Sequence, residues 1–469
     1  MKVKQLYTGC LSQGAYYIES NGEAAIIDPL REVQPYIDLA LNRESKIKYI
    51  FETHFHADFV SGHVSLAEKT GAPIIFGPNA NPSFDCIIAS DNQEFELGDV
   101  TIKVLHTPGH TMESTTYLLL DENAKEHAIF SGDTLFLGDV GRPDLAQKSA
   151  NMTQEQLAAI LYDSLRKKIM TLPDETIIYP GHGAGSACGK NMSKETVGTI
   201  GQQKKTNYAL KEGLTKEAFV KEVLDGLSLP PAYFPLNVKL NKEGYQDVEA
   251  VLLKSKNALS IDQFEKLALQ TKATILDVRH QHDFAKGHIP GSIFVGIDGA
   301  FAPWVGALIK DINQPILLIT PPERLEETII RLSRVGFDQV LGYLQGGVES
   351  WKKAQKETAT IDAVDAEQLA ELMNSSKISV IDVRKELEYQ SEHLVDAINL
   401  PLDNLENHLS TLEINNDYYI HCAGGYRSII AISMLKANGI HNLIDVLGGF
   451  NAIKKTNASL SEYICPSTL

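Results

Sequence analysis

Along residues 1–190, short apolar runs alternate with polar turns: AAIIDP, KIKYIFETH, APIIFGP, VTIKVLHTPGH, HAIFSGD and TIIYPGH. Runs this brief, bounded by Gly, Pro and Asp, predict strands rather than helices. All but APIIFGP end in a His, an Asp or a Pro-Gly-His cluster. Strands that hand polar groups from their ends into loops are how an α/β scaffold assembles a site. Residues 191–256 turn to helical patterning, as in TKEAFVKEVLDGL. The stretch LPPAYFPLNVKLNKEGY (229–245) holds too much proline for a regular element and reads as an ordered connection. A boundary is expected near residue 256.

Beyond it the pattern repeats. TILDVRHQHDFAKGHIPGSIFV (274–295) matches SVIDVRKELEYQSEHLVDAINL (379–400), pairing Asp277 with Asp382, Arg279 with Arg384 and His288 with His393. The spacing is that of a whole domain, so it predicts a tandem duplication rather than a solenoid. Each copy alternates strands with helical segments, which predicts a parallel sheet covered by helices. Three domains are expected, over 1–256, 257–357 and 358–469.

The chain has 469 residues, of which 43% are hydrophobic and 22% charged, in keeping with a soluble globular protein. A net charge of −17 argues against nucleic-acid or anionic-membrane partners. No apolar run is long enough to span a bilayer. The N-terminal MKVKQLYTGCLSQGAYYIES does not have the order of a secretory signal, so a cytoplasmic location is expected. The five cysteines (Cys10, Cys86, Cys188, Cys422, Cys465) are scattered and odd in number, which fits a reducing compartment.

The candidate chemistry starts in THFHADFVSGH (53–63), where His54, His56 and Asp58 occupy alternate positions after an apolar run. TPGHT adds His110, SGDTLFLGDVGRPD adds Asp133 and YPGHG adds His182, each at a strand end. The motif would normally end in a further histidine, but Phe59 stands there. These residues resemble the metallo-β-lactamase superfamily over essentially all of 1–190, which implies a four-layer αββα fold. In its dinuclear hydrolases, such as glyoxalase II, positions 59 and 182 belong to a second metal, so Phe59 weakens that site. The spacing also resembles the persulfide dioxygenase branch, implying one iron(II) per chain held by His54, His110 and Asp133. Two imidazoles and a carboxylate would leave positions open for O2 and a thiolate-type substrate. His56, Asp58 and His182 become candidates for orienting ligands or bound oxygen. Arg142, in GRPD, is read either as an anchor for substrate anions or as the ion-pair partner of Asp144. Cys188, in a Gly-rich loop expected to lead away from the metal face, either carries sulfane sulfur or is inert.

In the second copy, YYIHCAGGYRSIIAISMLKANG (418–439) predicts a strand, a tight loop and a helix stopped by Gly439. Cys422 heads that loop, where inward N–H groups, the helix dipole and Arg427 would stabilise negative sulfur. The loop and the two DVR motifs resemble rhodanese domains, which carry a persulfide on this cysteine. The first copy has ILLITPPERLEETI (316–329) there, with Ile319 or Thr320 at the nucleophile position, and should be catalytically silent. The whole chain is similar to bacterial persulfide dioxygenase–rhodanese fusions. That resemblance implies oxidation of a glutathione- or coenzyme A-type persulfide by O2 to sulfite, thiosulfate formation at Cys422, sulfide detoxification and a homo-oligomer. Two other readings stand beside it: a zinc thioester hydrolase like glyoxalase II with rhodanese accessory domains, and a non-enzymatic sulfur relay or sensor.

Overall fold

The computed structural model describes residues 1–227 and 229–465, the side chains of residues 148 and 149 excepted. The chain divides into two compact units. The first is Met1–Val251 together with Leu332–Gly336, and the second is Leu252–Arg331 with the chain from Phe337 onward. The two repeats share one compact unit.

In the first unit, strand alternation sets the layers. Two sheets of six strands lie face to face, one running in chain order from Lys2–Thr8 to Ile87–Ile88 and the other from Gly198–Thr199 back to Glu94–Leu97. Tyr16, Ile18, Ala25 and Ile27 point inward and meet Ile102, Val104, Tyr117 and Phe130 of the other sheet. Their neighbours Ala15, Tyr17, Ala24 and Ile26 point outward, in a cluster with Tyr36, Ala40 and Leu66 of helices Gln34–Asn42 and His63–Thr70. Leu105, Leu118, Ile129 and Ile178 form the other outer face, under Ala158 and Leu161 of helix Gln154–Ser164 and Phe219 and Val223 of helix Lys216–Leu224. The period-two pattern therefore yields four layers, αββα, as expected.

The segment expected to be an irregular connection is instead partly a helix, Phe234–Glu243. Pro235 sits in its first turn, where the N–H that proline lacks would have no helical partner. The position of a proline in the helix matters here more than the number of prolines.

In the second unit each repeat forms a five-stranded parallel sheet with the same strand order. Arg279 forks onto Asp277 and Arg384 onto Asp382. His288 stacks on Phe284 at 4.0 Å and His393 on Tyr389 at 3.8 Å. The strand register pairs Asp277 with Ile319 and Asp382 with His421. Thr320 is therefore the residue that stands where the second copy has Cys422.

Candidate metal centre and sulfur-transfer loop

The loop after strand Lys46–Phe51 buries His54, His56 and Asp58 at the end of the two sheets. One ligand atom from each of His54, His110 and Asp133 lies within 4.8 Å of the others. His54 Nε2 is 3.9 Å and His110 Nε2 3.5 Å from Asp133 Oδ2. The opposite ring nitrogens are tied back. His110 Nδ1 lies 2.8 Å from the Arg142 carbonyl, which fixes that nitrogen as the donor. His54 Nδ1 meets Thr53 Oγ1 at 3.0 Å, and Thr53 donates to Asp28 at 2.8 Å. With its single proton given to Asp28, Thr53 Oγ1 accepts from His54. Both Nε2 lone pairs then face Asp133, as metal ligation requires. Burial, followed by the charges of His56, His110 and His182, holds the His54 pKa well below its ordinary value, keeping the ring neutral.

The fit to a cation rests on polar atoms with nowhere else to go. Both carboxylate oxygens of Asp133, Asp58 Oδ1 and His182 Nε2 are buried without a hydrogen-bond partner. Such groups are costly unless an ion or water completes them. Residues His54, His110 and Asp133 would hold one metal. His56, Asp58 and His182 form an adjoining cluster, with His182 Nε2 3.4 Å from Asp58 and 3.5 Å from Asp133. His56 turns toward Asp28 (3.1 Å) and Glu52 (3.5 Å). Burial opposes its charge, yet Asp28 and Glu52 hold its pKa up to about 9. Phe59 is fully buried and lies 4.3 Å from the His56 ring.

Of the two readings of Arg142 the structure shows the ion pair with Asp144, and the expected course of the Cys188 loop needs correction. Arg142 is not a free anion anchor: both arms of its guanidinium reach Asp144 at 2.7 Å, and a further N–H reaches Ala187 O. Its backbone N–H donates to Cys188 O, so it links His110 to the cysteine loop. Nor does that loop lead away from the metal face. Cys188 is buried, with its sulfur within 4.8 Å of the Asp133 and His182 ligand atoms. The loop is pinned back because Asp139 accepts from the N–H groups of Lys190 and Asn191. Burial, then Asp58 and Asp133, raises the Cys188 thiol pKa well above its ordinary value.

In the second unit, Cys422 follows strand Tyr418–His421 and precedes helix Arg427–Ala437. The Gly425 N–H donates to its sulfur at 3.1 Å. Gly425 has φ +98°, which lets the loop curl inward. Arg427 is present as expected, but its two amino groups bind the carboxylate of Glu388 at 2.6 and 2.8 Å. A pocket of about 370 Å³ opens at the cysteine, lined by Trp304, Cys422, Ala423, Gly424, Tyr426 and Arg427.

Comparison with known proteins agrees with this geometry. Residues 8–85 match the metallo-beta-lactamase superfamily model, and 260–354 and 365–456 match the rhodanese-like domain model. The crystal structure of a metallo-beta-lactamase from Staphylococcus aureus is 32% identical, with a TM-score of 0.65 over 74% of this chain and 98% of its own. The human mitochondrial persulfide dioxygenase is 30% identical over 44% of this chain and 73% of its own length. The chain belongs to the metallo-β-lactamase superfamily. Two rhodanese-like domains follow its metallo-β-lactamase fold. Hydroxyacylglutathione hydrolases match as well: that of Rhizobium etli is 38% identical over 34% of this chain, and a probable one from Schizosaccharomyces pombe 32% over 38%. The chain spans 57% and 66% of their respective lengths.

Within the metallo-β-lactamase fold, several residues at the site carried no motif. Asn241, on helix Phe234–Glu243, donates to the carbonyls of His56 and Phe59 and accepts from Ser61 N–H. Val60 N–H donates to the Arg334 carbonyl at 2.7 Å. Tyr233 is buried, and its hydroxyl pKa is raised well above the usual value by that burial and by Asp58 and Cys188. The signals available were AAIIDP for Asp28 and the Thr and Glu beside His54; nothing local marked Asn241. No described helix is long and apolar enough to cross a membrane.

Proposed function

We propose that this metallo-β-lactamase-fold protein is an iron-dependent persulfide dioxygenase joined to a sulfurtransferase. The observation that carries this reading is Phe59, which puts a buried ring, unable to bind metal, where the dinuclear pattern needs a ligand, beside an intact His54–His110–Asp133 set. Iron(II) held by those three would supply open positions for O2 and sulfur and the redox capacity to join them. The chain's own residues keep His54 neutral, fix the ring orientations through Thr53 and the Arg142 carbonyl, and keep the cluster buried from water. The overall change is R–S–SH + O2 + H2O → R–SH + sulfite + 2H⁺. Sulfite then attacks the outer sulfur of a Cys422 persulfide, the S–S bond breaks, thiosulfate leaves and the Cys422 thiolate is restored. The human persulfide dioxygenase relative supports the reading.

A second reading has its own support. Asp58 and His182 retain buried, unpartnered ligand-type atoms beside Asp133, and hydroxyacylglutathione hydrolases are among the relatives. That favours a zinc thioester hydrolase. Oxygen consumption by iron-loaded protein given glutathione persulfide, with sulfite, thiosulfate and bound metal measured on one sample, separates the two. Uptake scaling with one iron per chain is expected. Cys422→Ser should retain uptake and sulfite but lose thiosulfate. Absence of uptake in fully iron-loaded, reduced protein, with oxygen-independent cleavage of a hydroxyacylglutathione by the zinc form, would establish the hydrolase instead.

A further inference from the structure

The silent rhodanese-like copy lacks a nucleophile, yet it reaches the pocket of the active one. Helix Phe301–Leu308 buries Phe301, Ala302, Val305 and Gly306 and leaves Trp304 half-buried on the wall beside Cys422. The segment leading to this helix also seats the active loop. Tyr426 donates its hydroxyl to the Gly296 carbonyl at 2.7 Å, and its ring lies 5.9 Å from Phe294. A Cβ at Gly299 would fall 2.3 Å from Tyr426 Cζ, so only a glycine leaves room for that ring. The silent copy therefore fixes where the active loop sits and places an indole at its mouth.

The one cation lining this pocket, Arg427, and Arg384 of the DVR motif in the same copy are both already paired. Arg427 is bound at both ends by Glu388. Arg384 is forked onto Asp382 and lies over the Phe450 ring at 3.8 Å. What remains for a ligand is backbone N–H, the aromatic faces of Trp304 and Tyr426, and an indole N–H without a partner among the described residues. A bare dianion entering such a site gives up water without gaining a free cation. An organic group gains contact with the rings.

We propose that Trp304 is a specificity-determining residue, supplied by the silent copy, that selects sulfane-sulfur donors bearing an organic group over inorganic thiosulfate. This rests on the reading of Cys422 as the sulfur carrier. In the loading step the Cys422 thiolate attacks the outer sulfur of R–S–S⁻. The donor's S–S bond breaks, R–S⁻ leaves with the bonding pair, and Cys422–S–S⁻ forms with no net oxidation.

The test uses the full-length protein and two donors that deliver the same sulfane sulfur, benzenethiosulfonate and thiosulfate, with cyanide as acceptor and thiocyanate as product. Trp304→Ala should lower kcat/KM for benzenethiosulfonate about three- to tenfold, chiefly through KM, and change that for thiosulfate less than about twofold. Trp304→Phe should recover most of the loss. Equal losses with both donors, or no loss with either, would overturn the proposal. Cys422→Ser is run alongside: if it still forms thiocyanate, the reading of Cys422 as carrier fails instead.

Discussion

Asn241 shows how much one uncharged side chain can hold. Its amide bridges His56 O, Phe59 O and Ser61 N–H, all at 2.7–2.8 Å and all buried. Alanine would strand these backbone groups without water, at about 1–3 kcal/mol for each group left unpaired. Asn241→Ala is therefore expected to lose about 3 kcal/mol or more in denaturant unfolding. It should also lower metal content after purification, because the His54–Asp58 loop loses its anchor. A change below about 0.5 kcal/mol would mean that water replaces the amide. At this scale the candidate ligands were legible because histidine and aspartate at strand ends are chemically conspicuous. Asn241 was not, since an asparagine on a helix is ordinary until the fold brings it to a loop far away in sequence.

At the scale of elements, the Cys422 loop depends on a second turn packed against it. Gly448 and Gly449 open helix Gly449–Ile453 with φ of +75° and +56°, and Phe450 N–H donates to the Cys422 carbonyl. A Cβ at Gly449 would lie 2.4 Å from that carbonyl oxygen. Gly449→Ala is expected to displace Cys422 and cut thiocyanate formation about ten- to a hundredfold, leaving oxygen consumption unchanged. Equal loss of both activities would instead indicate general unfolding. The strand–loop–helix around Cys422 was readable because apolar spacing and Gly439 mark its limits. Helix Phe234–Glu243 was misread because composition hides the one place where proline is harmless.

For the whole molecule, two compact units predict separable responses. Chelation removes a ligand that binds only the folded first unit, a contribution of about 2.7 kcal/mol at a hundredfold excess over Kd. Calorimetry should show the first unit melting at lower temperature, with thiocyanate formation at Cys422 preserved. A shared shift of all transitions would contradict this. In the second unit, burial holds the His288 pKa down to about 4. Between about pH 6.5 and 4 the unfolded chain takes up a proton there that the folded chain does not, so stability falls as pH falls. Asp445, pushed up to about 6 by burial, works in the opposite sense near pH 5. His288→Gln removes only the first contribution. It should therefore lose less stability than the parent between about pH 7 and 5, as read by thermal unfolding; an equal loss would rule the histidine out.

The sequence by itself determined the strands, the duplication, the candidate ligand types and the one cysteine that stands before a helix in the repeats. Each is written in local pattern: period-two alternation, a repeated DVR motif, His and Asp beside turns, one cysteine before a helix. The tertiary structure alone decided which charges remain available. For Arg142 the sequence left anion anchor and Asp144 partner both open, and the fold pairs it with Asp144; Arg427, read as a charge for the sulfur, is held by Glu388. It alone also folded Cys188 back against Asp133 and brought Trp304 of one repeat to the cysteine of the other. The physical reason is the range of the forces involved. Backbone periodicity is set by near neighbours, whereas burial and pairing depend on groups that only the closed fold brings within a few ångströms.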